Sequence, residues 1–244
     1  MSTTIPNQTA GRSTIGVPAP AGREIVGESW SRRISVTTLW AAGMNKPVIA
    51  RAFWRACYGT DYGLFIPEWE RLADEPAGTR ILDLPTGGGV CLLGLAPETP
   101  VHLTAADISE DMLRRVRDRA DAAGLAQVDA VTADATALPF DDASFDLIVT
   151  YNGLHCFNKP WVALSEMRRV LAPGGRIRGT VLLRRPGVVA PRVQRYFQWR
   201  KVLGTIGTWA EMQSWCASAG LAVERTGMSG ALAFFEGIRD DDRG

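Results

Sequence analysis

Ile81-Leu82-Asp83-Leu84-Pro85-Thr86-Gly87-Gly88-Gly89 is the stretch that decides how this chain folds. A short apolar run, residues 80–84 (RILDL), passes straight into a glycine-rich turn. A short, mainly apolar run of this length predicts a buried strand. Glycines let the backbone approach a ligand closely, and in an open parallel sheet ligands bind beyond the carboxyl ends of the strands. Taken alone, such a turn is a weak pointer to a nucleotide site.

The pattern downstream repeats strand, loop and helix. Residues 101–105 (VHLTA), 128–132 (VDAVT), 145–150 (FDLIVT) and 176–182 (RIRGTVL) read as four further strands, with helical segments between them. Ser109 stands where an N-cap is expected, with Glu110 and Asp111 in the first turn, where negative charge suits the helix dipole. Leu113, Val116 and Ala120 then share one face. A second helix starts near Pro160, a favoured first-turn residue, and Pro173-Gly174-Gly175 stops it. Residues 208–219 read as a helix ended by Gly220, and residues 221–226 and 231–238 as the last strands. The expected class is α/β: a Rossmann-like, mostly parallel seven-stranded sheet with helices on both faces. Residues 1–25, poor in large apolar side chains, read as a flexible leader. Residues 26–74, with aromatic residues at loosely helical spacing, read as an N-terminal helical cap that covers the core or a ligand pocket. Residues 75–244 form the expected main domain.

Composition narrows the function classes. The 244 residues are 46% apolar and 22% charged, with a formal net charge of +1. No basic run is present to hold a nucleic-acid backbone, so no such partner is expected. Four dispersed cysteines and two histidines make a metal site improbable and point to free thiols in a reducing cytoplasm. No run approaches the ~20 apolar residues of a membrane span.

Three more loops fall after strand ends. Asp107 follows the second strand, 18 residues beyond Gly89, where a carboxylate can accept from both hydroxyls of a ribose; the alternative is a surface aspartate near a helix start. Asp134-Ala135 follows the third strand, and a carboxylate there can accept from an exocyclic amine; the alternative is a turn aspartate. Asn152-Gly153-Leu154-His155 follows the fourth. The four loops converge if the strands are parallel neighbours.

Across about 100 residues, ILDLPTGGG, ADISEDML, ADATALPFDDASFDLIV, the NGLHCF turn and RRVLAPGGR stand in the order found in class I S-adenosylmethionine-dependent methyltransferases. The chain resembles the small-molecule branch similar to the ubiquinone/menaquinone methyltransferases. The resemblance implies S-adenosyl-L-methionine as cofactor, with S-adenosyl-L-homocysteine as product. It implies that Asp83 braces the glycine turn and reaches the methionine amino group, directly or through water. Pro85, Thr86 and Gly87 then pack on the methionine portion. Asp107 holds the ribose, with Ile108 beside the adenine and Met112 nearby, and Asp134 and Ala135 bind the adenine edge. Asn152 and Leu154 border the transferable methyl group. The resemblance also implies a cofactor-touching aromatic upstream of the first strand: Tyr58, or else Tyr62. The chain departs from the family pattern at Pro85, where glycine is usual, and at Cys156, where many relatives carry a second histidine. Proline fixes φ and removes an N–H, so the loop is expected to sit differently against the methionine tail.

A nicotinamide dehydrogenase is the nearest competing reading, but aligning Gly87 and Gly89 with GxGxxG puts Leu92 at the third glycine. Methyl transfer is an in-line displacement in which the cofactor carries the hard chemistry. His155 is the candidate general base, or else a pocket wall. The substrate is expected between the N-terminal helices and a lid at residues 184–206, with Tyr62, His155 and Tyr196 as its contacts. The lid's arginines read as a solvated basic face or as a recognition surface for an acidic substrate or a membrane surface. The expected reaction is methylation of a small, largely apolar metabolite, such as a polyketide, quinone or terpenoid intermediate. The alternative is a methyltransferase-like protein that uses the fold for cyclisation or dehydration. A cytoplasmic protein follows, and homodimerisation stays open.

Overall fold

A computed structural model describes residues 47–184 and 203–241. The proposed leader, residues 26–46 of the proposed cap, and most of the proposed lid, including Tyr196, lie outside the described residues.

Seven strands form one sheet: β1 (Arg80–Asp83), β2 (His102–Asp107), β3 (Val128–Thr132), β4 (Phe145–Tyr151), β5 (Leu171–Leu182), β6 (Leu221–Ser229) and β7 (Leu232–Arg239). Their order is β3-β2-β1-β4-β5-β7-β6. The first five strands pair in parallel, and β7 runs antiparallel to both β5 and β6. From β1 the chain winds outward through β2 to β3, then crosses back to β4 on the other side. The strand order reverses between β1 and β4, which is where an open α/β sheet leaves a crevice for a ligand.

Both faces of the sheet are covered, as its apolar strands require. Ile81 and Leu82 point to opposite faces, and neither is exposed. On the Ile81 face lie α1 (Pro47–Tyr58), α2 (Phe65–Glu70) and α3 (Glu110–Ala123), which supply Trp54, Phe65, Trp69 and Val116 to one apolar cluster. On the Leu82 face lie α4 (Pro160–Val170) and α5 (Trp209–Ser218), which supply Leu164, Met167 and Met212. Local chemistry sets the helix ends. Pro160 occupies the first turn of α4. At α5 the Thr208 hydroxyl accepts from the Glu211 N–H while the Glu211 carboxylate accepts from the Thr208 N–H, a reciprocal capping box.

Three local expectations change. The β1–β2 connection holds a 3-10 turn, Val90–Gly94, in place of an α-helix, because α2 packs on it: a Cβ at Gly94 would lie 1.9 Å from the Trp69 carbonyl oxygen. The third connection carries only an isolated Asp134–Ala137 bridge. The helix before Pro173 ends at Val170, and β5 begins at once, at Leu171.

α1 is tied to the carboxyl end of the sheet. The Ala231 N–H donates to the Tyr58 carbonyl, and the Thr60 hydroxyl donates to the Ser229 carbonyl at 2.7 Å. Among the described residues no helix is long and apolar enough to cross a membrane, and no group of three or more His, Cys, Asp or Glu side chains could hold a metal.

Candidate functional site

Asp83 ends β1 and is 1% exposed. Its carboxylate accepts from the Thr86 hydroxyl at 2.7 Å. Burial lifts its pKa to about 7, with the Asp107 charge adding, while hydrogen bonds from Thr86 and Cys91 hold it from going higher. The turn that follows is sewn to β2. The Thr86 N–H donates to the Ala106 carbonyl, and the Gly87 N–H donates to Asp107 Oδ2 at 2.9 Å. Gly87 and Gly89 sit at φ 53° and 73°, in the left-handed region that a β-carbon penalises.

Asp107 is buried at the end of β2. Its other oxygen accepts from the Ser109 N–H at 2.9 Å. Burial raises its pKa, and the N–H donors of Ser109, Gly87 and Ile108 oppose that shift. A carboxylate has about four lone-pair sites, so an acceptor position remains beyond these three donors. Ile108 is half-buried and Met112 buried. Ser109 occupies the N-cap position of α3, but its hydroxyl makes no capping bond; it is buried and has no partner among the described residues.

Asp134 lies one strand further out, since β3 pairs with β2 and the Ala133 N–H donates to the Asp107 carbonyl. Its Oδ1 accepts from both the N–H and the hydroxyl of Thr136. Ala135 is buried beside it.

The loop after β4 closes the other side of the crevice. Asn152 has φ 59°, and its N–H is held by the carbonyl and hydroxyl oxygens of Thr180 on β5. Its Oδ1 is buried with no partner among the described residues. Pro85 reaches this loop directly: a Cβ at Gly153 would lie 2.1 Å from the proline Cδ. The loops after β1 and β4 therefore touch. Leu154 is 1% exposed and belongs to the apolar cluster on the Leu82 face. His155 is 6% exposed, and its Nδ1 accepts from the Leu182 N–H at 3.2 Å. Burial pulls its pKa down to about 4, and the Cys156 thiol is pushed up to about 12, by burial first and by Asp107 second. Tyr58 is buried in the aromatic cluster of α1, its ring 4.9 Å from Trp54. Tyr62 lies in the 3-10 turn Tyr62–Leu64, but its side chain lies outside the described part of the structure.

The rim thus brings together Asp83, Pro85, Thr86, Gly87, Asp107, Asn152 and His155 around the β1–β4 crevice, with Asp134 next to it. Tyr58 is anchored by its backbone at the β5–β7 end. Sequence reasoning missed Ser109 as a buried hydroxyl, Thr180 as the holder of Asn152, and Leu182 as the partner of His155. Nothing in the strand pattern of residues 176–182 marks Thr180 or Leu182 as different from ordinary strand residues.

An adenosyl group bearing an amino-acid tail fits this rim on three counts. The Asp107 carboxylate keeps an acceptor position for a ribose. The buried Asn152 Oδ1 lacks a donor among the described residues. A Cβ at Gly87 or Gly88 would meet nothing within 4 Å, so space is open beside the turn.

Residues 81–175 match the family described as "Methyltransferase domain". A demethylmenaquinone methyltransferase of Clavibacter sepedonicus is 50% identical over 101 residues, covering 41% of this chain and 40% of that protein. The 27-O-demethylrifamycin SV methyltransferase of Amycolatopsis mediterranei is 31% identical over 176 residues, covering 67% of this chain and 65% of that protein. The chain spans about half or less of the length of the first quinone methyltransferases it matches. Among solved structures, phosphoethanolamine N-methyltransferase 2 of Haemonchus contortus, in complex with phosphomonomethylethanolamine and S-adenosylhomocysteine, aligns with a TM-score of 0.69 at 16% identity. It covers 88% of this chain and 60% of that one.

Proposed function

From the premise that this chain carries a class I S-adenosylmethionine-dependent methyltransferase domain, similar to those of the ubiquinone/menaquinone methyltransferases, we propose that it methylates a small, largely apolar metabolite. The observation that carries this reading is the Asp107 carboxylate. It is buried, it locks the glycine turn through the Gly87 N–H, and it keeps an acceptor position for a ribose.

S-adenosylmethionine is the cofactor, and when bound it supplies a methyl group already activated by positive sulfur. The work left to the protein is alignment and exclusion of water. Asp107 orients the ribose, and Asp134 and Ala135 border the adenine. Asp83 braces the turn from beneath through Thr86. Pro85, without an N–H, offers the methionine tail a ring surface instead of a donor. Asn152, fixed by two bonds from its N–H to Thr180, turns an acceptor toward the tail or the substrate. Tyr58, Tyr62 and Tyr196 remain the aromatic contacts of this reading. Polyketide, quinone and terpenoid intermediates are the expected substrates, in keeping with the quinone and rifamycin activities for which the relatives are named.

The test is binding of S-adenosylhomocysteine by calorimetry, followed by transfer of labelled methyl to a metabolite panel. Asp107→Ala is expected to lose at least ~10-fold in affinity, the scale of one charge-assisted hydrogen bond. Unchanged affinity would remove Asp107 from the site.

A further inference from the structure

His155 stands in the 3-10 turn Leu154–Cys156 after β4, beside the crevice, where a proton acceptor for methyl transfer would be sought. Its geometry points to the opposite role. Neutral imidazole has one acceptor nitrogen and one donor nitrogen, and here the acceptor is already engaged: Nδ1 receives the Leu182 N–H at the end of β5. That backbone donor fixes the tautomer with hydrogen on Nε2. The main chain at His155 is held as well, because its carbonyl accepts from the Gly204 N–H at 2.9 Å. Among the described residues Nε2 has no protein acceptor.

We propose that His155 acts as a neutral hydrogen-bond donor through Nε2–H to an oxygen of the substrate, and that the substrate is an acidic phenol or enol that reacts as its anion. This deepens the methyl-transfer reading above and rests on it. A fixed neutral donor stabilises negative charge on oxygen and cannot remove a proton. The neighbours on this loop do not supply a base either. The Cys156 thiol stays protonated, its sulfur donating toward the Asn152 carbonyl at 3.5 Å. Across the crevice, Asp83 at the end of β1 is 1% exposed and already engaged by the Thr86 hydroxyl. A nucleophile that needs no deprotonation on the enzyme removes the demand for a base. The step balances without one: the methyl–sulfur bond breaks with its electron pair left on sulfur, the nucleophile–methyl bond forms, and the substrate's negative charge cancels the sulfonium charge. Burial without a charged neighbour keeps the imidazole neutral through the physiological range.

Two measurements on the full-length chain decide this. Long-range nitrogen–proton spectra of ¹⁵N-histidine protein, with His102→Gln assigning the two rings, are expected to show His155 neutral with hydrogen on Nε2 from pH 5 to pH 8. A transition centred between pH 6 and 7, or hydrogen on Nδ1, would overturn the proposal. Methyl transfer to a series of hydroxyquinones and phenols of graded acidity is expected to follow the ionised fraction of each. His155→Ala should lose ~10² in kcat, as removal of an oxyanion donor does, and His155→Gln, whose side-chain N–H reaches about as far, should recover most of it. Equal loss in both variants, with disappearance of an acid limb in the pH profile, would make His155 a base and sink the idea. If the wild-type protein binds no S-adenosylhomocysteine and labels no compound, the methyl-transfer reading fails, and the spectra still decide the tautomer.

Discussion

Asp83 and His155 are buried ionisable groups whose burial acts in opposite senses on stability. Burial lifts Asp83 from 3.8 to about 7, so the folded protein keeps a proton that the unfolded chain releases. Its contribution is complete below pH 3.8 and is lost as pH rises toward 7, at about 1.4 kcal/mol per unit. His155 falls from 6.5 to about 4, so the unfolded chain binds a proton that the folded protein refuses. Its contribution is intact above pH 6.5 and is lost as pH falls toward 4, with a similar slope. Between pH 4 and 6.5 the two slopes cancel. In urea titrations across that window, Asp83→Asn should show stability rising with pH and His155→Gln stability falling with it. Variant curves parallel to the wild type would contradict this. At this scale the sequence was partly legible. Asp83 and Thr86 are three residues apart, so their contact follows from a tight turn. His155 and Leu182 are 27 residues apart and meet only because β5 lies in register beside β4.

At the scale of elements, the loops after β1 and β4 interlock through Pro85 and Gly153. A methyl group at Gly153 would collide with the Pro85 ring at 2.1 Å and crowd the Thr150 hydroxyl at 2.8 Å. Gly153→Ala is therefore expected to destabilise by about 1–3 kcal/mol, as overpacking does. Adding Pro85→Gly should return part of that loss, with the Thr150 contact remaining. A double-mutant cycle by chemical denaturation should give a coupling on the order of 1 kcal/mol; strictly additive losses would mean that the two loops are independent. Pro85 thus makes a contact with a second loop, 68 residues away in sequence, which no local pattern encodes. Strands were the most legible elements: β3 has the bounds its apolar run predicts. The 3-10 turn before β2 was not legible, because α2, a distant element, decides it through Gly94.

At the scale of the molecule, the described residues form a sheet with an apolar layer on each face, and between them lies a buried ion pair. Glu75, ahead of β1, meets Arg178 of β5 at 2.9 Å, both side chains 5% exposed, and also contacts Arg176. Arg178 keeps two further buried nitrogens without partners among the described residues, so removing Glu75 strands a cation in the core. Glu75→Gln is expected to cost about 3–5 kcal/mol, read as a lowered thermal midpoint; a loss below about 1 kcal/mol would show that water reaches Arg178. The alternation of strands and helices made the architecture legible, while this pair, bridging 103 residues, was not. A last consequence follows from the backbone around His155. The Arg184 N–H donates to the Gly207 carbonyl, and the N–H groups of Gly204 and Thr205 donate to the carbonyls of His155 and Phe157. Three backbone bonds thus clamp residues 204–207 between the end of β5 and the turn after β4. A backbone shift at this corner of the sheet is therefore transmitted to the turn that carries His155, so the position of that side chain reports on how the corner is packed.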